Sequence, residues 1–153
     1  MIPNQQFTAN FSLHELLVSE TAARKSFNEQ FEPTPQVVEN LKNLCIHVLQ
    51  PLRDHLGYAV HVNSGYRCTR VNTLIGGVPN SQHLTGQAAD IQDFTNGNEY
   101  LLKKIVELNL PFDQVINEFN YQWVHVSYDA ARNRHVVLAA TKDTNSKTVY
   151  TPD

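Results

Sequence analysis

The segment from Thr34 to Gly57 constrains the fold more than any other part of this chain. Its apolar residues recur at intervals of three and four, which is the pattern of one buried face on a long helix. Thr34 suits the N-cap, Pro35 suits the first helical position, and Gly57 suits the end of the helix. Pro51 lies inside the pattern, so we expect a kink or a split there. We interpret this helix as the scaffold of the core.

Shorter patterns around this helix indicate the fold class. Ser12 and Ser19 resemble the N-caps of two short helices. Helical spacing recurs at residues 69–75 and 98–108, and alternation predicts strands at residues 58–63, 88–92, 113–118, 123–128 and 135–140. The polar residues from Lys142 onward predict a loose tail or an edge strand. Helices followed by mostly antiparallel strands predict one α+β domain over residues 1–153, with a core at about 34–141.

Composition excludes several classes of protein. The 153 residues carry a net charge of −3 without a basic run, so the chain has no electrostatic footprint for nucleic acid. No apolar run is long enough to span a membrane. The first residues lack the basic and apolar regions of a signal peptide. We therefore expect synthesis in the cytoplasm, so that any action outside the cell requires release by other means.

The two cysteines do not make a disulfide framework. Cys45 falls on the apolar face of the long helix and is predicted to be a core residue. Cys68 lies in a polar loop, where a thiol can serve as a ligand or a nucleophile. No histidine follows it at ligand spacing, which disfavours both roles. The sequence leaves a bridge between Cys45 and Cys68 open.

The segment from Ser81 to Asp90 carries the first chemical signal. His83 and Asp90 stand seven positions apart around Gly86, among mostly small residues. Small residues let the backbone approach a compact group closely. One imidazole and one carboxylate are two of the three protein ligands of a typical catalytic zinc ion. This spacing also occurs by chance, so the interpretation depends on a third ligand.

His125 is the best candidate for that third ligand among the seven histidines. Alternation along its predicted strand places Trp123, His125 and Ser127 on one face, with two valines on the other. A lone strand histidine is more often structural, so His125 gains weight from its context. The remaining histidines lie on predicted helices or in strands without a second ligand nearby, namely His14, His47, His55, His61 and His135.

A zinc hydrolase also needs a base, and the predicted hairpin supplies one. If Glu118 pairs with Trp123 across a four-residue connection, Ile116 lies opposite His125. Glu118 then shares the face of His125 as its diagonal neighbour, at a Cα separation of about 7–8 Å. A glutamate side chain can cross that gap to a water molecule on the metal. The alternative is an exposed carboxylate at the end of a hairpin.

Arg67 is the candidate for binding substrate. It lies in a Ser-Gly-Tyr-Arg turn after a predicted strand, at a sheet end where functional residues gather. Its guanidinium presents a fork of N–H donors that suits a carboxylate or a polarised carbonyl oxygen. Taken alone, this position fits an ordinary surface arginine equally well.

Together these motifs resemble the zinc D-Ala-D-Ala carboxypeptidase family, which includes phage endolysins and peptidoglycan endopeptidases. The likeness covers about residues 34–130. Its motifs are Ser-Gly-Tyr-Arg at 64–67, Asn72, Ser-x-His-x-x-Gly-x-Ala-x-Asp at 81–90 and Trp-Val-His at 123–125. The resemblance implies the small α+β fold shared with the Hedgehog signalling domain. It also implies one zinc ion per chain, held by His83, Asp90 and His125.

The same resemblance implies roles for residues around the metal. It implies Arg67 near the substrate carbonyl or carboxylate and Ser81 in support, and we add Trp123 as a substrate contact. One position departs from the pattern, because many relatives carry the catalytic glutamate three residues before the last histidine. That position is Gln122, which cannot take a proton at neutral pH. Either Glu118 serves as the base, which we favour, or the site binds metal without peptidase activity.

The sequence therefore predicts a zinc-dependent peptidase that cleaves the stem peptide of peptidoglycan, as a carboxypeptidase or an endopeptidase. Glu118 and Arg67 are its predicted catalytic residues. The first alternative is a catalytically inactive cell-wall or protein-binding module on the same fold. The second is an interaction domain in which zinc only braces the loops. The missing leader fits an enzyme of the phage type, which reaches the wall after release.

Overall fold

The computed structural model describes residues 1–153. Helices predominate in the first half of the chain and strands in the second, so the predicted α+β class is confirmed. The helices are α1 (Leu13–Leu17), α2 (Glu20–Lys25), α3 (Pro35–Leu44), α4 (Gln50–Leu56), α5 (Thr69–Leu74) and α6 (Asn98–Glu107). Two short 3₁₀ turns lie at Asn28–Phe31 and Gln82–Thr85. None of the helices combines the length and the apolar character that crossing a membrane requires.

Six strands form one sheet. They are β1 (His61–Ser64), β2 (Ala88–Gln92), β3 (Gln114–Glu118), β4 (Trp123–Ser127), β5 (Val136–Lys142) and β6 (Thr148–Pro152). Their order across the sheet is β1-β2-β4-β3-β5-β6. β3 and β5 run parallel, and every other neighbouring pair is antiparallel. The C-terminal residues thus form an edge strand, which is one of the two alternatives that their sequence leaves open.

The long helix is interrupted just before Pro51, close to the predicted position. Helix α3 ends at Leu44, a π-helical turn covers Cys45–Leu49, and α4 begins at Gln50. Proline has no N–H and its ring clashes with the carbonyl four residues earlier, so the preceding turn widens. The N–H of Gln50 accordingly donates to the Cys45 carbonyl, five residues back. Gly57 ends α4 in the left-handed conformation, with φ of 77°.

All three residues predicted as N-caps occupy that position, and two of them make the capping hydrogen bond. The Thr34 hydroxyl accepts the N–H of Val37, and the Ser19 hydroxyl accepts that of Ala22. Ser12 precedes α1 as predicted, but its side chain makes no capping hydrogen bond. The side-chain oxygen of Asn4 accepts the N–H of His14 instead, at 2.8 Å. A residue outside the helix thus accepts an N–H that has no partner within the helix. The spacing of residues within α1 does not reveal such a contact.

The main core lies between the helices and one face of the sheet. Alternate strand residues point toward this core, so the opposite face of the same strands remains available for polar side chains. Cys45 is buried in the main core, as predicted. Cys68 lies in a separate small cluster with Ala22 and Val71. The cysteines are free, so the structure contains no bridge between them.

Gln30 links the N-terminal helices to the turn that follows β1. Its side chain is fully buried. The amide nitrogen donates to the carbonyl oxygens of Leu17 at 2.9 Å and Tyr66 at 2.8 Å. The amide oxygen accepts the N–H of Cys68 at 2.8 Å. Because Arg67 lies between two of these backbone partners, Gln30 holds the turn that carries the predicted substrate contact.

We expect Gln30→Ala to lower the free energy of unfolding by about 3 kcal/mol, because it leaves two buried carbonyls and one buried N–H without partners. The matched control is Gln36→Ala on the exposed side of α3, which should change stability by less than about 0.5 kcal/mol. Urea unfolding followed by circular dichroism measures both. Equal stability of the two variants would show that Gln30 does not hold the turn.

Candidate metal centre

The pairing of β2 with β4 places two predicted ligands side by side. Asp90 lies opposite His125, and Ile116 of β3 lies opposite His125 on its other side. Residues in one cross-strand row point to the same face of a sheet. Here that face is the one turned away from the main core, because the valines on either side of His125 belong to the core. The row therefore projects a carboxylate and an imidazole into the same space.

His83 approaches this row from the 3₁₀ turn at Gln82–Thr85. The Ser81 hydroxyl accepts the N–H of His83 at 3.2 Å and so caps the turn. The His83 Nδ1 lies 2.6 Å from the carbonyl oxygen of Gly65, to which it donates a hydrogen bond. This bond orients the ring and leaves Nε2 as the free lone pair, which is the usual support of a metal-binding histidine.

Gly86 ends the turn that carries His83. Its φ is 74°, a left-handed conformation that favours glycine. A Cβ at this position would lie 2.8 Å from the carbonyl oxygen of Val37 on α3, which is too close for ordinary contact. The glycine in the middle of the motif is therefore needed for close packing of the turn against α3.

The three predicted ligands converge with spacing suited to one metal ion. Nε2 of His83 lies 3.2 Å from Oδ1 of Asp90, and Nδ1 of His125 lies 3.1 Å from the same oxygen. All three ligand atoms lie within 4.8 Å of one another. Two ligands of a tetrahedral zinc ion at 2.0–2.1 Å are about 3.3 Å apart. A ring nitrogen and a carboxylate oxygen at this distance share either a proton or a metal ion, and three such donors at this spacing fit zinc.

The electrostatics of the cluster favour an ionised Asp90. Burial alone raises the pKa of this carboxyl group. Before a metal ion binds, when these ring nitrogens carry protons, the charge of His83 and the hydrogen bonds from His125 and His83 outweigh burial and hold the pKa of Asp90 well below its usual range. A carboxylate that stays ionised across the neutral range can remain a metal ligand throughout that range.

Glu118 lies where the hairpin was predicted to place it. The register pairs Glu118 with Trp123 and Ile116 with His125, so the predicted pairing is confirmed. The side chain is buried, with 8% of its surface exposed. Burial raises the pKa of Glu118 to about 7, with a smaller contribution from Asp90 against the opposing charges of His125 and Arg67. A carboxyl group with this pKa can both take and return a proton near neutral pH.

Gln122 lies outside the cleft that contains these groups. Gln122 is exposed, and its backbone carbonyl accepts hydrogen bonds from the side chains of Gln92 and Asn98. The cleft is instead lined by Glu118. In this chain, therefore, the position three residues before His125 does not face the candidate metal ligands.

Arg67 extends its side chain into the same cleft. Its backbone N–H donates to the His83 carbonyl oxygen at 3.0 Å, which ties the cation to the ligand-bearing turn. Burial lowers the pKa of Arg67, while the negative charges of Asp90 and Glu118 oppose the shift. Its Nε is buried and has no hydrogen-bond partner. No side-chain hydrogen bond ties the guanidinium to the rest of the chain, so its charge is available in the cleft.

The cleft around the three candidate ligands has a volume of about 840 Å³. Its lining includes Ser81 and Trp123, the other predicted substrate contacts. The sequence did not indicate the residues that β5 and β6 contribute to it, namely Leu138, Lys142, Thr148 and Tyr150. No motif marks these residues, because they reach the cleft only through the parallel pairing of β5 with β3.

Residues 9–127 match the model of a protein family described as Peptidase M15. The matched range contains every residue predicted for metal binding, proton transfer and substrate binding, and it ends before β5 and β6. No curated protein matches the chain.

We expect the purified protein to hold about one Zn²⁺ per chain after loading and desalting. His125→Ala removes one of the three ligands and should weaken zinc binding about 100-fold or more. His55→Ala, an exposed histidine on α4, serves as the control and should bind zinc like the wild type. Atomic absorption and competition with a chromogenic chelator measure stoichiometry and affinity. A wild type that takes up no zinc would rule out the site.

Proposed function

Because the chain belongs to the Peptidase M15 family, we propose that it is a zinc-dependent peptidase that hydrolyses a peptide bond in the stem peptide of peptidoglycan. The observation that carries this proposal is the convergence of His83, Asp90 and His125 in a cleft that also contains a buried glutamate and an unpartnered arginine. Three protein ligands leave a fourth coordination position for chemistry, as in catalytic zinc sites.

In this proposal Glu118 moves the proton. A zinc ion held by His83, Asp90 and His125 would lower the pKa of a bound water molecule and polarise a carbonyl group. Glu118 shares the face of His125 and takes a proton from the attacking water. It then returns that proton to the leaving amine. Its pKa of about 7 suits both directions, because neither form is strongly favoured near neutral pH.

Arg67 stabilises the charge that develops on the substrate. Its position at the cleft wall supports this role. A guanidinium donates to a carbonyl oxygen more strongly as that oxygen gains negative charge, and burial strengthens the interaction. The same guanidinium can bind a terminal carboxylate. Arg67 therefore suits either the scissile carbonyl or the C-terminus of the substrate. Ser81 caps the turn that carries His83 and so holds this proposed metal ligand in place.

The charges in the cleft suit a peptide that carries carboxylates. The cationic residues that line it are Arg67, Arg132, Arg134 and Lys142, and the acidic ones are Asp90 and Glu118. Arg134 is already paired with Asp113 at 2.8 Å. The other cations have no acidic partner within the chain, although Lys142 donates to the Thr148 hydroxyl. A stem peptide with free carboxylates therefore fits this surface better than a basic peptide does. Trp123 offers an indole face for the peptide chain.

A catalytically inactive cell-wall or protein-binding module is the alternative function. Its support is Gln122, which occupies the position where relatives often carry the base. The location of Gln122 outside the cleft weakens this support, and the burial of Glu118 beside the ligands favours the enzyme. A third hypothesis, in which zinc only braces the loops, does not account for a buried Glu118 and a cleft of about 840 Å³ beside the metal.

We expect Glu118→Gln to lower kcat by about 100-fold or more, because the amide cannot accept the proton although its size is unchanged. Gln122→Ala is the matched control on the same hairpin, and its activity should stay within about threefold of the wild type. Release of D-Ala or stem fragments from purified muropeptides, followed by mass spectrometry, measures both variants. Both should bind zinc like the wild type.

Two results would contradict parts of this proposal separately. Full activity of Glu118→Gln would overturn the assignment of the base and leave the peptidase intact. A zinc-loaded wild type that binds muropeptides but releases no fragment would overturn the peptidase and favour the binding module.

The pH dependence follows from the ionisation of Glu118. The base works only as the carboxylate, so kcat/KM should fall as the pH drops through the pKa of this group. That pKa is about 7 without metal, and a bound cation lowers it because positive charge favours the carboxylate. We therefore expect an acidic limb with a midpoint at or below about pH 7. Glu118→Gln should lack this limb, and a limb that persists in the variant would assign it to another group.

A further inference from the structure

The last two strands build a wall of the cleft beyond the residues that match the family. β5 pairs with β3 in parallel, and β6 pairs with β5 in the antiparallel direction. The register places Glu118 opposite Ala140 and Ala140 opposite Tyr150. These residues form one cross-strand row that continues to Trp123 on β4. Tyr150 therefore lies on the same face of the sheet as the proposed base.

The side chains along β6 confirm which way the strand faces. Tyr150 and Thr148 line the cleft, whereas the intervening Val149 and the following Thr151 do not. Ala140, between Tyr150 and Glu118, is fully buried. A small residue at this position leaves room for a tyrosine ring to extend over the sheet toward the glutamate.

The Tyr150 hydroxyl is a free donor in a charged environment. Tyr150 keeps 45% of its surface exposed, and its hydroxyl makes no hydrogen bond to the rest of the chain. Burial raises the pKa of Tyr150, and the negative charges of Glu118 and Asp90 raise it further against the charge of Arg67. These three residues belong to the proposed catalytic cleft, so the hydroxyl lies within range of its charges and remains protonated at neutral pH.

We propose that Tyr150 is a substrate-contacting residue, whose hydroxyl donates a hydrogen bond to an oxygen of the bound peptide. Arg67 follows β1 at one edge of the sheet, and Tyr150 lies on β6 at the other edge. The peptide is thus held from both sides of the metal ligands. This inference rests on the proposed peptidase function and adds a specificity residue that the family-matched segment does not contain.

Kinetics on a defined stem peptide test the contact. Tyr150→Phe keeps the ring and removes only the donor, so kcat/KM should fall about 10-fold, mainly through a higher KM. Tyr150→Ala also removes the ring and should lower kcat/KM further. Thr151→Val on the opposite side of the same strand is the control, and it should stay within about twofold of the wild type. Unchanged kinetics in Tyr150→Phe would overturn the inference.

Calorimetry on chelator-treated protein gives a second reading that does not depend on turnover. The same peptide should bind Tyr150→Phe about 10-fold more weakly than the wild type or Thr151→Val, at equal thermal stability. Equal affinities overturn the contact, and so does a wild type that fails to bind. If the zinc-loaded wild type releases no product but the affinity difference is found, the peptidase proposal fails and the Tyr150 contact stands.

Discussion

The register between β2 and β4 is the constraint on which the candidate site depends. It sets Asp90 beside His125 on one face of the sheet and turns the neighbouring valines into the core on the other face. A shift of one residue would bury the charged pair and expose the valines. The burial of the core therefore specifies the site, because one pairing satisfies both faces of the strands.

The remaining parts of the site are attached to this pair through backbone hydrogen bonds. His83 is held by the carbonyl of Gly65, and its own carbonyl accepts the N–H of Arg67. The buried amide of Gln30 binds the same turn on both sides of Arg67. The N-terminal helices thus determine where the ligand and the guanidinium lie relative to each other. These hydrogen bonds position the site before any ligand binds, and prior positioning lowers the ordering cost of binding.

Local patterns predicted the parts of the structure that local forces determine. The pairing of Glu118 with Trp123 is confirmed because a four-residue connection sets the register of a hairpin. The cap at Thr34 is confirmed because capping needs only a hydroxyl at the right position. Ser12 occupies its predicted N-cap position, but Asn4, which reaches α1 from outside the helix, accepts the N–H of His14 in its place. No local pattern indicates the structural role of Gln30 either, because its hydrogen-bond partners are distant in sequence.

By itself, the sequence determined the α+β class, the family resemblance and the spacing of the candidate ligands, since these follow from periodicity and from motifs within short segments. Only the tertiary structure decided that β5 lies parallel to β3, that Tyr150 consequently reaches the cleft, and that Gln122 does not. The physical reason is that a parallel pair joins segments without a tight turn, so no local residue pattern specifies its partner or its register.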